Sequence, residues 1–143
     1  MFLGEYRHAL DEKGRVTVPA RLREGLTAGL FLTRGHDTNL LLYPQGAWQA
    51  LAERLELAPS ASRERRIFTR WFFGGACEVC LDKLGRILVP AYLREYAEID
   101  GEAIFVGADD VIELWSPQRW HQELVHNREM LGDVLDDLAR KGV

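Results

Sequence analysis

Cysteine is almost absent from this chain. Its 143 residues hold two, Cys77 and Cys80, in a single Cys-x-x-Cys. Such a pair reads as a redox couple or half of a zinc site, but there is no second Cys pair, and His8, His36, His121 and His126 show no matching ligand spacing. The segment Cys77-Glu-Val-Cys80-Leu also reads as a strand, where residues three apart face opposite sides. The thiols are therefore expected to be structural, each behaving as a small buried hydrophobe. Long apolar runs are missing too. None approaches the roughly 20 residues a membrane helix needs. The opening Met-Phe-Leu-Gly-Glu-Tyr-Arg lacks the basic-then-apolar pattern of a secretory signal, so a cytoplasmic location and no membrane partner are expected. Catalytic signatures are absent: no Gly-x-Ser-x-Gly elbow, no Gly-x-x-x-x-Gly-Lys-Ser/Thr phosphate cradle, no His-Glu-x-x-His. The adjacent acids Asp109-Asp110 and Asp136-Asp137 read as solvated loop or helix faces. An enzyme is not expected, nor a cofactor, a metal or a small-molecule substrate.

Charge of either sign is modest, at net −4 overall, which by itself argues against a nucleic-acid partner. Its distribution is uneven. Residues 1–48 net +1, 49–75 net +2, 76–115 net −6 and 116–143 net −1. Between Arg7 and Arg23 stand five basic residues against two acidic ones, enough for a local positive face. With 47% hydrophobic residues the chain has the material for a real core.

What is present in quantity is a repeat. Asp11-Glu-Lys13-Gly14-Arg15-Val-Thr-Val-Pro19-Ala-Arg-Leu-Arg-Glu24 returns 71 residues later as Asp82-Lys83-Leu-Gly85-Arg86-Ile-Leu-Val-Pro90-Ala-Tyr-Leu-Arg-Glu95, identical at nine of fourteen positions. Tyr6–Leu10 and Cys77–Leu81 are strand-like leads. Arg15–Val18 and Arg86–Val89 are strand-like exits. Between them Gly is available for positive φ, so each motif is expected to be a hairpin or near-hairpin. Pro19 and Pro90 open short helices. Further on the offset becomes 72: Leu32–Gly35 corresponds to Ile104–Gly107, Leu40–Tyr43 to Ile112–Trp115, and Trp48 to Trp120, with the one-residue slack near Gly25–Gly29.

The connector differs from both copies. Pro44–Leu57 and Ser62–Phe73 read as helices parted by Ala-Pro-Ser-Ala-Ser, a breaker. Phe68, Trp71 and Phe72 share one helical face, as core or interface residues do, and Gly74-Gly75 ends that helix. A last helix spans about Pro117 to Ala139, with an apolar face through Trp120, Leu124, Met130, Leu131, Val134, Leu135 and Leu138. One copy of about 45 residues is too small to fold alone. The two are expected to pack as a pseudo-symmetric pair around one β-rich core.

In Asp-x-x-x-Arg the Asp accepts backbone N–H bonds that fix the turn. The Arg emerges at its mouth as a planar fork suited to phosphate or a guanine edge. An Asp–Arg pair that merely stabilises the turn is the plainer reading of one motif. Two copies with the same polar residues and different intervening ones favour binding, since turn geometry does not demand Arg twice.

Read together, these residues resemble the MraZ family of bacterial transcriptional regulators, built of two SpoVT–AbrB-type domains. The resemblance runs through Met-Phe-x-Gly-Glu-Tyr, both Asp-x-x-x-Arg motifs, Leu-Leu-Leu-Tyr-Pro, Phe-Phe-Gly-Gly-Ala-Cys-Glu and Glu-Leu-Trp-Ser-Pro. It implies an α+β fold: two AbrB-like β-hairpin modules packed as a pseudo-symmetric, barrel-like core, with connecting and C-terminal helices. The first module spans 5–48, a helical connector 49–75, the second module 76–119 and the C-terminal helix 120–143. The resemblance further implies a nucleoid-associated, ring-shaped homo-oligomer on repeated short sites of double-stranded DNA, upstream of a division and cell-wall gene cluster. Carried over, Arg15 and Arg86 are the DNA-contacting arginines and Lys13 and Lys83 phosphate contacts; Arg7, in the same basic stretch, is expected to bind DNA as well. Asp11, Gly14, Asp82 and Gly85 organise the turns. Because the second module is acidic, Arg15 is expected to matter more than Arg86. Thin basic faces imply weak binding per chain, with affinity arising from several subunits at once. A partner-sequestering antitoxin of AbrB-like fold is the rival reading. Such proteins usually carry one module and a disordered tail, against two modules and an amphipathic terminal helix here.

Overall fold

The computed structural model describes residues 1–26, 29–56 and 62–143. Chain order is β1 (Glu5–Ala9), β2 (Arg15–Thr17), α1 (Ala20–Arg23), β3 (Leu30–Arg34), β4 (Leu40–Pro44), α2 (Gln45–Glu56), α3 (Arg63–Phe72), β5 (Cys77–Val79), β6 (Arg86–Leu88), α4 (Ala91–Ala97), β7 (Glu102–Ala108), β8 (Val111–Trp115) and α5 (Pro117–Arg140). Every strand and helix expected from the repeat is present. Leu57 and the breaker at 58–61 lie outside the described residues, as does part of the slack at 25–29.

Local chemistry sets the helix ends. Ser62 and Ser116 cap α3 and α5, each hydroxyl accepting a backbone N–H three residues on, from Arg65 at 3.1 Å and Arg119 at 3.0 Å. The β7–β8 loop turns at Asp109, whose φ of 68° places it in the left-handed region that short polar side chains tolerate best. Asp109 and Asp110 are accordingly an exposed loop, and Asp136 and Asp137 an exposed helix face.

The strands form one six-stranded antiparallel sheet, in the order β1-β7-β8-β4-β3-β5, and a separate two-stranded ribbon of β2 and β6. Exchanging the two copies (β1 for β5, β3 for β7, β4 for β8) turns this order into itself read backwards. The expected pseudo-symmetry is thus present in the pairing itself. Among the described residues no ladder joins β1 to β5, and the barrel-like closure expected of the core is not confirmed.

The hairpins also depart from expectation. Each motif keeps its turn, but the arms part company. β1 pairs with β7 and β2 with β6, and only an isolated Leu10–Val16 bridge links the first motif's arms. In the second motif β5 pairs with β3 while β6 completes the ribbon. Every lead and exit strand therefore finds its partner in the other copy. The cause is burial: Val16, Val18, Ile87 and Val89 are at most 1% exposed, and they enter a single core with Leu32, Leu42, Phe105 and Leu114 from both copies. One copy alone would leave both that apolar face and its strand edges bare.

The two copies differ in how their trailing helices pack. α3 lays Phe72 (2% exposed) into an aromatic stack, with Trp48 of α2 at 5.6 Å and Phe68 at 5.0 Å. Thr33 Oγ1 donates to the Phe72 carbonyl at 2.6 Å. The placement of Phe68, Trp71 and Phe72 on a packing face is as the spacing predicted. α5 is held at its start by Trp120, whose ring lies 5.2 Å from Trp115 and whose Nε1 donates to Glu5 at 2.7 Å. From Leu124 to Arg140 its residues are exposed. Cys77 is half-buried on β5. Cys80, just past the strand, is exposed and so is not the buried hydrophobe expected of both thiols.

Candidate nucleic-acid interface

Each turn is built by its own aspartate. Asp11 Oδ1 accepts the backbone N–H of Lys13 at 3.0 Å and of Arg15 at 2.9 Å, while Oδ2 accepts Arg15 Nε at 2.6 Å. Asp82 repeats this with Leu84 N, Arg86 N and Arg86 Nε at 2.9, 2.9 and 2.8 Å. Gly14 and Gly85 close the turns at φ of 87° and 75°, where a side chain would be strained. The donated N–H bonds, led by the arginine's own backbone, hold both carboxyls below their ordinary value of 3.8. The turn and the ion pair are one structure, as the plainer reading of the motif expects.

The ribbon brings the two motifs together. Arg15 lies opposite Leu88 and Thr17 opposite Arg86. Directly opposed residues share a face, so both arginines stand on the outer side of the ribbon, with Val16 and Ile87 buried behind. The arginine side chains are 36% and 27% exposed, and Arg86 Nη1 comes within 4.0 Å of Asp11 Oδ2, across the copies. With each Nε held by its aspartate, the terminal amines of each fork remain to meet an acceptor from outside.

Lys13 and Lys83 are exposed on the turns, and among the described residues neither has an ion-pair partner. Arg7 is not part of this group. It lies on β1 of the large sheet, where its Nε donates to Glu102 at 2.7 Å. Two further arginines belong to the site although nothing in the repeat assigned them a role. Arg94 donates through Nε to the Val89 carbonyl at 2.9 Å and packs against Gly14 of the first turn. Arg23 packs reciprocally against Gly85 of the second. The signal was in the text, since both are the Arg of the repeated Leu-Arg-Glu, but their target is in the other copy. The Cys77 thiol stands apart. Burial raises its pKa, which makes it a poor thiolate at neutral pH.

The duplicated segments match a known family. The family model described as "MraZ protein, putative antitoxin-like" matches residues 1–71 and again 72–133. The chain belongs to the MraZ family. A protein of Herpetosiphon aurantiacus named Transcriptional regulator MraZ is 50% identical over 124 residues, 87% of each chain. Proteins of the same name from Desulfitobacterium hafniense and Syntrophomonas wolfei are 43% and 40% identical over the full length of both chains. The two matched segments meet between Trp71 and Phe72, inside α3. The MraZ repeat boundary therefore falls within the aromatic pack rather than in a linker.

Proposed function

We propose that this chain regulates transcription by binding double-stranded DNA through the outer face of the β2–β6 ribbon. The observation that carries the reading is the shared face: Arg15 and Arg86, 71 residues apart, stand on neighbouring strands with their forks pre-oriented by Asp11 and Asp82. A two-stranded ribbon fits a major groove, and an Arg fork can meet either a guanine edge or a phosphate. Lys13 and Lys83 flank the ribbon as phosphate contacts. Arg7, tied to Glu102, supplies at most peripheral attraction. The names of the relatives support the regulatory role.

A shared face argues for near-equal shares from the two arginines. The turns differ at their tips, where Glu12-Lys13 of the first copy stands at the positions of Lys83-Leu84 in the second. One ribbon is a small footprint on a chain of net −4, so tight binding requires several copies on repeated sites, in the ring-shaped assembly that the family implies. Such sites would lie upstream of the division and cell-wall gene cluster, as the family resemblance implies. The antitoxin reading draws support from the family description, but α5 is helical through Arg140 rather than a disordered tail. Footprinting on the DNA upstream of the chain's own gene tests the proposal. Protection of repeated short sites that disappears with Arg15→Ala and Arg86→Ala is the expected result, and protection unaffected by both would end it.

A further inference from the structure

The outer face of the β2–β6 ribbon carries four side chains. Arg15 stands across from Leu88 and Thr17 across from Arg86, with Val16 and Ile87 filling the core behind them. The two copies place their arginines at equivalent positions, but the residue two further along is Thr17 in one and Leu88 in the other. The face is a checkerboard with arginines on one diagonal and these two unlike residues on the other.

Leu88 is out of keeping with its place. The solvent side of a half-buried antiparallel ribbon ordinarily carries polar residues, yet Leu88 is 52% exposed. A lone exposed leucine needs no explanation of its own. This one has a defined neighbour, because it lies directly opposite Arg15, whose Nε is fixed by Asp11 at 2.6 Å. Side chains directly opposed on paired strands lie about 5 Å apart, and successive bases along one strand about 3.4 Å. Whatever base edge meets the Arg15 fork, Leu88 reaches the same base pair or the next.

Base edges in the major groove present hydrogen-bond donors and acceptors with one apolar exception, the C5-methyl group of thymine. A leucine laid on a polar edge takes water from that edge and returns no hydrogen bond. Laid on the methyl, both apolar groups leave water together. We infer that Leu88 is a specificity-determining residue that packs on a thymine methyl, in the base pair read by Arg15 or the one beside it. Thr17, opposite Arg86, brings a hydroxyl as well as a methyl and is the less selective of the two. The two halves of one chain's site then differ in the bases they accept, although their arginines are equivalent. The inference rests on the ribbon reading above and adds to it a base preference that the arginine forks do not supply.

Deoxyuridine pairs as thymidine does and lacks only the methyl, so it isolates this contact. Each thymine of the protected fragment is replaced by deoxyuridine in turn, at the equivalent position of every repeat, and binding of the full chain is followed by anisotropy. Wild type is expected to lose about fourfold in affinity per engaged copy at one of these positions, the worth of one buried methyl group. Leu88→Ala should bind the thymine fragment more weakly than wild type does, and should bind the deoxyuridine fragment equally well. Circular dichroism checks the fold, and Leu88→Ser replaces Leu88→Ala if its signal is lost. A wild type indifferent to every replacement would overturn the inference. So would a methyl effect that persists at full size in the Leu88 variant. Either result leaves the ribbon reading standing as long as Arg15→Ala and Arg86→Ala abolish protection. Protection that survives both arginine variants would remove the ribbon reading and this inference with it.

Discussion

The two copies of the repeat are nearly interchangeable at their turns and quite unlike at their ends. Both turns use the same aspartate geometry, the same left-handed glycine and the same arginine clamp from the opposite copy. Beyond β4 the chain folds back through α2 and α3 and buries Phe72, whereas beyond β8 it runs outward as α5 with its apolar stripe exposed. The DNA contact proposed for the ribbon would constrain both turns alike. Nothing of the kind constrains the ends, which are free to differ.

The largest effect that would test the contrast is at the ends. Phe72→Ala should cost about 3–5 kcal/mol in a denaturant titration, as for a fully buried aromatic. Leu131→Ala should cost under about 0.5 kcal/mol in dilute solution, as for a surface position. Its cost should rise with protein concentration if copies cover the stripe. A large, concentration-independent loss at Leu131 would place α5 inside the single chain's own core.

At the turns the expectation is equality. Arg15→Ala and Arg86→Ala should each weaken DNA binding by about 1–3 kcal/mol if the fork reads a base edge. If it meets only phosphate, each should lower the salt slope by about 1. Fluorescence anisotropy at several salt concentrations decides between these, and a many-fold gap between the two variants would restore the unequal hands that the charge pattern alone implies. Glycine offers a finer test. An added Cβ at Gly14 would come within 2.8 Å of the Val89 carbonyl oxygen as well as meeting Arg94, whereas at Gly85 the three nearest atoms all belong to the movable Arg23 side chain. Gly14→Ala should therefore destabilise the fold more than Gly85→Ala, by roughly 1 kcal/mol beyond a shared left-handed strain of about 1–2 kcal/mol. Melting temperatures of the two variants check this.

The smallest effect concerns pH. Both turn carboxyls titrate below 3.8 in the folded state. A depressed folded pKa gives stability that is present above the unfolded value and lost as pH falls through the folded one. The two turns should hence be insensitive to pH from about 5 to 8 and loosen together only in stronger acid. Carboxyl-carbon chemical shifts of Asp11 and Asp82 measure the midpoints, and a midpoint above 4 for either would show that its turn is not closed in solution.

Much of this molecule was legible before its coordinates. The turns and the shared helical face of Phe68, Trp71 and Phe72 follow from spacings of a few residues, so local sequence determined them, although the partners of that face, Trp48 and Thr33, lie in earlier elements. Arg15 and Arg86 were legible as a pair for the same reason, since a duplicated five-residue turn presents a duplicated side chain. Three features came only with tertiary structure: the parting of β1 from β2, the single face shared by the two arginines, and the reach of Arg23 and Arg94 into the opposite turn. A strand of three residues carries no address for its partner. That choice is made when Val16 and Ile87 leave water together with side chains 50 to 100 positions away. Burying one common core removes more apolar surface than two separate hairpins could.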